Sequence, residues 1–335
     1  MSYQFAIIGC GHIGKRHAEH ISRLGNLVAV CDTIPAKADE LAAQYNCRAY
    51  YDIDALIAGT ENMDVLSVCT PNYLHEPHTI TGLKAGHHII CEKPMAISSE
   101  SCRKMIAAAD LSGKKIFVVK QNRYNPPVQA VKRLINNNAL GKILQINVNC
   151  FWNRDAGYYQ SSDWKGIRTK DGGILFTQFS HFADVLFYLA GPMKVLSGVS
   201  NNFMHDGITD FEDSAAFILQ TAQSGIISFN ASTCAYGKNM EGSLSILAEK
   251  GSIKIGGQYM NTIDHSNIKD VQLPEINIQQ QNNQYGHYEG SMSNHHLVIQ
   301  NVIDTLDGRS EAMTNAAEGL QVVELIEAMY VSCKL

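Results

Sequence analysis

Phe5-Ala6-Ile7-Ile8 runs without a break into Gly9-Cys10-Gly11-His12-Ile13-Gly14, and this junction limits the fold more than any other stretch. An apolar strand enters a G-x-G-x-x-G turn. A helical pattern leaves it, with Ala18, Ile21 and Leu24 at helix spacing. A second apolar strand, Leu27 to Cys31, then ends at Asp32. A glycine triplet alone says little. Between a strand and a helix, with an acid closing the next strand, it is the dinucleotide-binding fingerprint. Gly9 permits the tight turn, Gly11 lets the backbone approach a pyrophosphate, and Gly14 lets helix and strand pack closely. The helix N-terminus offers free N–H groups and partial positive charge to phosphates, with His12 and Ile13 in its first turn. Asp32 is expected to accept hydrogen bonds from ribose hydroxyls and to repel a 2′-phosphate, which selects NAD over NADP. The rival reading is a glycine-rich turn that binds nothing.

The alternation continues. Pro35 to Tyr45 reads as a helix, Cys47 to Tyr51 as a strand, and Val65 to Cys69 as a buried strand ending in Thr70-Pro71-Asn72. A helix from about His75 closes at Gly86, the strand His88 to Cys91 ends in Glu92-Lys93-Pro94, and Ser98-Ser99-Glu100 starts another helix. Ile116 to Val119 is one more strand. This order predicts an α/β fold, a doubly wound parallel sheet of Rossmann type. Ligands sit at the carboxyl ends of such strands, where Gly9, Asp32, Thr70, Lys93 and Gln121 fall. Proline restricts Lys93 to extended conformations and so holds its direction. A solvated lysine in an ordinary turn is the alternative.

At 335 residues the chain has room for about two domains. The expected division is a cofactor domain over 1–121 and a second domain over 122–335. A net charge of −5 argues against nucleic-acid and anionic-membrane partners. No apolar run is long enough for a membrane span. Nine scattered cysteines, with no Cys-x-x-Cys and no secretory leader, lead to the expectation of a reducing cytoplasm and no metal site.

In the second half, Asn125 reads as an N-cap ahead of Pro126 and Pro127. Strands are predicted at 143–152, 195–203, 214–221, 225–232, 243–248 and 252–255. Polar residues alternate with apolar ones over 143–150, so one sheet face is polar and the other covered. Trp164-Lys165-Gly166-Ile167-Arg168 and Asp171-Gly172-Gly173 precede a helix predicted over 174–184. Thr177 and His181 would share its face, with Asp184 placed to orient the histidine ring. A Gly-Gly start would let substrate approach the first turn. Tyr158, Tyr159, Trp164, Lys165 and Arg168 make an aromatic and basic patch that suits an anion, or else solvated loop charges. Ser291 to His295 reads as a helix opening, where Ser293 and Asn294 either seat a diphosphate or carboxylate or simply cap the helix. The Gln/Asn-rich stretch 277–290 reads as a surface loop or a lid.

With these motifs in register, the chain resembles the glucose–fructose oxidoreductase/inositol dehydrogenase/rhizopine-catabolism family over essentially its whole length. The resemblance implies a C-terminal α+β domain with an open, mostly antiparallel sheet and a nicotinamide cofactor bound between the domains. It also implies chemistry on a sugar or cyclitol carbon, and a homo-oligomer, dimer or tetramer, packed through the C-terminal sheet. Lys93 and His181 are the implied catalytic residues. Thr70, Asn72, His75, Glu92 and Gln121 match cofactor-lining positions, although His75 also fits a solvated helix start. Asn122, Trp164, Lys165, Arg168, Thr177, Gln178, Ser293 and Asn294 are expected at the substrate. Polyol and inositol dehydrogenases of the family carry aspartate where this chain has Thr177. That departure points to the branch acting on nucleotide-linked sugars, such as the UDP-N-acetylglucosaminuronate 3-dehydrogenases. The expected activity is NAD-dependent oxidation of a secondary hydroxyl, at C3 of a UDP-linked N-acetylhexosaminuronate. Rival readings are a free-sugar or cyclitol dehydrogenase, an NAD-retaining glycosidase and a non-enzymatic sugar sensor.

Overall fold

The computed structural model describes residues 2–273, 282–284 and 289–333. The chain forms two compact units. The first holds β1 (Gln4–Ile8), α1 (His12–Leu24), β2 (Asn26–Cys31), α2 (Pro35–Tyr45) and β3 (Arg48–Tyr50). It continues with α3 (Ile53–Gly59), β4 (Val65–Val68), α4 (His75–Lys84), β5 (His88–Cys91), α5 (Ser99–Ser112) and β6 (Ile116–Val118). Its sheet is wholly parallel in the order β3-β2-β1-β4-β5-β6. The order reverses direction between β1 and β4, the usual place for a ligand crevice in such sheets. Phe5, Ala6, Ile7, Val65, Leu66, Ile89 and Ile90 have no exposed surface, as strands covered on both faces require.

Local chemistry explains the helix ends. Ser98 accepts the Ser101 N–H at 3.1 Å and starts α5. Asp52 does the same for α3 through Ala55. Gly86, just past α4, has φ +88°, which favours glycine. The Lys93–Pro94 peptide is cis.

The second unit holds α6 (Pro126–Asn136), β7 (Ile143–Phe151), α7 (Ala156–Gln160), α8 (Arg168–Asp171), α9 (Ile174–Thr177) and α10 (Ser180–Ala190). Its strands continue with β8 (Met193–Asn201), β9 (Ser214–Thr221), β10 (Ile226–Ser232), β11 (Glu241–Ala248), β12 (Gly251–Gly256) and β13 (Thr262–Ile268). They form one sheet, β13-β12-β11-β7-β10-β9-β8, antiparallel except where β7 meets β10. Ile146, Val148, Phe217, Leu219, Ile227, Phe229 and Ile246 point to its buried face. The opposite face carries an amide and hydroxyl ladder: Ser228 donates to Asn147 at 2.7 Å and Asn230 to Asn149 at 3.0 Å. A short pair follows, β14 (Asn282–Gln284) with β15 (Glu289–Met292).

The chain ends in α11 (His295–Leu306) and α12 (Ala316–Ser332). Residues 295–323 group with the first unit and 324–335 with the second, so the division is discontinuous where one boundary at 121/122 was expected. Helix α11 packs on α1. Among the described residues no helix is long and apolar enough to cross a membrane.

Three local expectations differ. Asn125 stands at the N-cap of α6 but makes no side-chain cap; its amide instead donates to the Tyr259 and Met260 carbonyls at 3.1 and 3.2 Å. The single helix expected over 174–184 is two, because the Ile174 carbonyl accepts both the Gln178 and Phe179 amides in a widened turn. The last helix pair opens at His295, not Ser291, which lies in β15. Tyr285, His287 and Tyr288 of the Gln/Asn-rich stretch lie outside the described residues.

Candidate active site

In the first unit the glycine turn has three different reasons for its three glycines. Gly9 has φ +96°, and a Cβ there would sit 2.6 Å from the Cys69 carbonyl. A Cβ on Gly14 would fall 1.9 Å from the Gly9 carbonyl, so helix and strand close on each other. A Cβ on Gly11 would meet nothing within 4 Å. Packing therefore does not explain Gly11, whereas a ligand lying against the turn does. Gly11 also precedes His12 and Ile13 at the N-terminus of α1, the end of a helix that suits a pyrophosphate. Asp32 frames the same turn. Its Oδ2 accepts the Cys10 N–H at 2.8 Å and its Oδ1 the Ile34 N–H at 2.9 Å. These residues fit NAD.

The ends of β4 and β5 are tied together. His75 is buried, with Nδ1 2.6 Å from the Pro94 carbonyl and Nε2 2.9 Å from the Thr70 carbonyl. Burial pushes its pKa below the ordinary range, and a neutral ring donates to one of these carbonyls at a time. His75 thus bridges two loops rather than standing in solvent. Thr70 Oγ1 lies 3.1 Å from His78 Nδ1, and buried Asn72 begins a 3-10 turn. Lys93 follows β5 and is partly buried. Glu92 points inward: it is 4 % exposed and its Oε1 lies 2.9 Å from His17 Nε2.

In the second unit, Gln121 and Asn122 lie in the buried 3-10 turn Gln121–Tyr124. Asn294 is buried too, its amide donating to Asn125 Oδ1 at 2.7 Å and to the Gln121 carbonyl at 3.3 Å. Ser293 is partly exposed beside it. The patch around Tyr158 is real in space. Lys165 Nζ lies 4.2 Å from the centre of the Tyr158 ring, and the Arg154 guanidinium carbon 5.0 Å from it. Gln178 Nε2 donates to the Tyr158 hydroxyl at 3.1 Å. Burial lowers the pKa of Lys165 to about 8, Asp171 opposing and Arg154 adding to the shift. Trp164 is partly buried beside Lys165.

Arg168, by contrast, is committed elsewhere. Its Nη2 lies 2.6 Å from Glu212 Oε2, and its main-chain N–H donates to Asp210. Thr177 is buried and its hydroxyl donates to Asp171, whose main-chain oxygen is 2.9 Å away and whose carboxylate lies beside it. The Asp171 carboxylate also accepts the Gly166 N–H at 2.8 Å. His181 is buried in the first turn of α10. Asp184, one turn on, takes Arg123 on both carboxylate oxygens. The Gly-Gly start is not open to substrate. Both glycines have φ near +100°, and a Cβ on Gly173 would meet the Tyr330 hydroxyl at 2.3 Å. That hydroxyl accepts the Leu175 N–H and donates to Glu212 at 2.6 Å.

Sequence reasoning missed Arg154, His17 and the inward turn of Glu92. Arg154 had no local motif, while His17 lies one turn past the glycines on the face that carries Ala18 and Ile21.

The family model for the GFO/IDH/MocA oxidoreductases, NAD-binding Rossmann fold, matches residues 3–120. Its companion, the C-terminal alpha/beta domain, matches 132–334. A solved relative is the WlbA dehydrogenase from Bordetella pertussis in complex with NADH and UDP-GlcNAcA. It is 32% identical with a TM-score of 0.89, covering 100% of this chain and 97% of that one. The inositol 2-dehydrogenase of Rhizobium meliloti is 29% identical over 267 residues, 77% of each chain. The D-glucoside 3-dehydrogenase of Escherichia coli is 31% identical over 205 residues, 60% of this chain and 58% of that one.

Proposed function

The chain belongs to the GFO/IDH/MocA oxidoreductase family, and from that premise we propose that it oxidises C3 of a UDP-linked N-acetylhexosaminuronate. The coarser statement needs no proposal: this is an NAD-dependent oxidoreductase of a family that acts on sugar hydroxyls. The observation that carries the finer reading is the cluster of Lys165 and Arg154 around Tyr158, with Gln178 bonded to the same tyrosine. Two cations against one aromatic ring, one of them partly desolvated, suit a carboxylate or phosphate better than a neutral polyol. The full-length likeness to a dehydrogenase solved with UDP-GlcNAcA supports it.

Bound NAD supplies the hydride acceptor. Gly9, Gly11, His12, Ile13 and Gly14 would hold its phosphates and Asp32 its adenosine ribose, with Thr70, Asn72, His75 and Gln121 lining the surroundings. Lys93 and His181 handle the hydroxyl proton. One takes it as base while the other stabilises the forming alkoxide. Asn122, Trp164, Lys165, Thr177 and Gln178 orient the sugar. Arg168, Ser293 and Asn294 stand in this reading as supports of the site. The outer face of the C-terminal sheet, where Ile218 and Ile226 stand exposed, packs against a second copy, giving a dimer or tetramer that light scattering would detect.

The deciding experiment follows NADH formation with UDP-N-acetylglucosaminuronate, UDP-N-acetylglucosamine, free glucosides and inositols. Turnover of the carboxylated nucleotide sugar above the others supports the reading. Preference for inositol would replace it with a cyclitol dehydrogenase, the activity named for the Rhizobium meliloti relative.

A further inference from the structure

Helices α1 and α11 of the first unit meet the end of β5 at the Glu92 carboxylate. Oε1 lies 2.9 Å from His17 Nε2 on α1 and 3.6 Å from His295 Nε2, the first residue of α11. Oε2 accepts the main-chain N–H of Lys93 at 3.0 Å. His17 is fixed in turn by β4, its Nδ1 2.7 Å from Ser67 Oγ. All of these side chains are buried. The His17 and His295 rings lie 5.6 Å apart, tilted at 58°.

A carboxylate sealed from water is costly unless a partner stays charged beside it. Here one does. Burial disfavours charge on His17, but Cys69 and Glu92 outweigh it and hold its pKa up at about 10. Burial likewise opposes ionisation of Glu92, but the hydrogen bond and charge of His17 outweigh it and keep its pKa well below the usual range. His295 itself stays neutral, since burial lowers its pKa. A buried pair of this kind adds little net stability over apolar residues. What it does fix is direction, and the group it fixes is the amide of Lys93. The next residue is held from the other side, since the Pro94 carbonyl takes its bond from His75.

We propose that Glu92, oriented by His17, is a positioning residue for Lys93. This rests on Lys93 acting at the substrate hydroxyl. Glu92 acts through the lysine, not on the cofactor. A neutral Gln at this position cannot replace it. Its carbonyl satisfies either His17 or the Lys93 amide, while its NH₂ meets the other donor.

The test uses the full chain with Glu92→Gln, His17→Gln and His17→Leu. Four readouts are taken: melting temperature, NADH affinity by fluorescence, steady-state kinetics, and acetylation of Lys93 by acetic anhydride read by mass spectrometry. Glu92→Gln should bind NADH within about twofold of wild type while kcat falls about 10- to 100-fold, as expected for a displaced reacting group. Lys93 labelling should change by about threefold or more, because its surroundings shift. His17→Gln, which keeps an N–H for Oε1, should retain more kcat than His17→Leu. Unchanged kcat and labelling in Glu92→Gln overturn the proposal. So does NADH affinity that falls as much as kcat/KM, which would make Glu92 a cofactor ligand. The three ligand atoms lie within 4.8 Å of one another, so stoichiometric divalent metal in the purified protein would also overturn it. Should Glu92→Gln not fold, the two His17 variants carry the same comparison. Should wild type turn over no uronate substrate, the proposed function fails while Lys93 labelling still decides this point.

Discussion

Arg123 and Asp184 close a two-point ion pair inside the second unit, Nε to Oδ2 at 3.0 Å and Nη2 to Oδ1 at 2.8 Å, with side chains 0% and 1% exposed. The guanidinium also stacks 4.8 Å from the Tyr188 ring, and Lys120 lies 4.0 Å from the same carboxylate. Breaking such a pair strands a buried charge. Arg123→Met should therefore cost about 3–5 kcal/mol of stability, read by urea denaturation of the holoenzyme. The double variant Arg123→Met with Asp184→Leu should recover most of that loss. A single-variant cost under about 1 kcal/mol would contradict this account.

The three turn glycines should fail differently. Gly14→Ala drives a Cβ to 1.9 Å from the Gly9 carbonyl, a backbone clash that should prevent folding or drop the melting temperature steeply. Gly11→Ala meets open space. That variant should fold with near wild-type melting temperature and lose NAD affinity by about tenfold or more, because the methyl occupies the pyrophosphate's approach. Calorimetric titration with NAD separates the two. Equal NAD affinity in Gly11→Ala and wild type would mean that the open space is not the phosphate seat.

Much of the first unit was legible because its signals are local. The fingerprint spans six residues, and each strand–helix step repeats within one window. The second unit hid more. Strand β13, Thr-Ile-Asp-His-Ser-Asn-Ile, is mostly exposed at a sheet edge, so it lacks the alternation that marks a half-buried strand. The break between α9 and α10 follows from one carbonyl accepting two amides, which no periodicity encodes. Partner choice was the least legible part. Arg168 finds Glu212 44 residues on, Arg123 finds Asp184 61 residues on, and His17 finds Glu92 75 residues on. Spacing pointed from Asp184 to His181 and gave no sign of Arg123, which meets the same carboxylate with a two-point match from a distant turn.

Asp32 should decide between NAD and NADP. Backbone amides hold both its oxygens, at 2.8 and 2.9 Å, so the carboxylate does not swing away from a 2′-phosphate. Like charges brought together cost several kcal/mol, so NADP should bind about 100-fold or more weakly than NAD. Asp32→Ser should narrow the gap mainly by improving NADP. Comparable affinities in the wild type, measured by fluorescence quenching, would overturn the assignment of Asp32.

Lys165 and Arg168 are three residues apart and should behave differently toward an anionic substrate. Arg168 has its charge matched by Glu212 at 2.6 Å, so Arg168→Gln should change KM for the uronate by less than about threefold. Lys165 instead stands in the aromatic patch: its Nζ donates to the Ser161 hydroxyl at 3.0 Å and lies 4.2 Å from the centre of the Tyr158 ring. Lys165→Met should raise KM for UDP-N-acetylglucosaminuronate about tenfold or more, with a smaller effect on the neutral UDP-N-acetylglucosamine. The pH dependence gives an independent sign. Burial lowers the pKa of this lysine from 10.5 to about 8, so the free enzyme loses the positive charge as pH rises through about 8. Substrate capture by the charged form is then present below that pH and lost above it, and kcat/KM for the uronate should fall on the alkaline side. Folding runs the other way. Between about 8 and 10.5 the unfolded chain binds more protons at this site than the folded one, so this lysine's contribution to stability rises with pH. Lys165→Met should remove the alkaline fall in kcat/KM. If the fall persists unchanged, the titrating group is not Lys165.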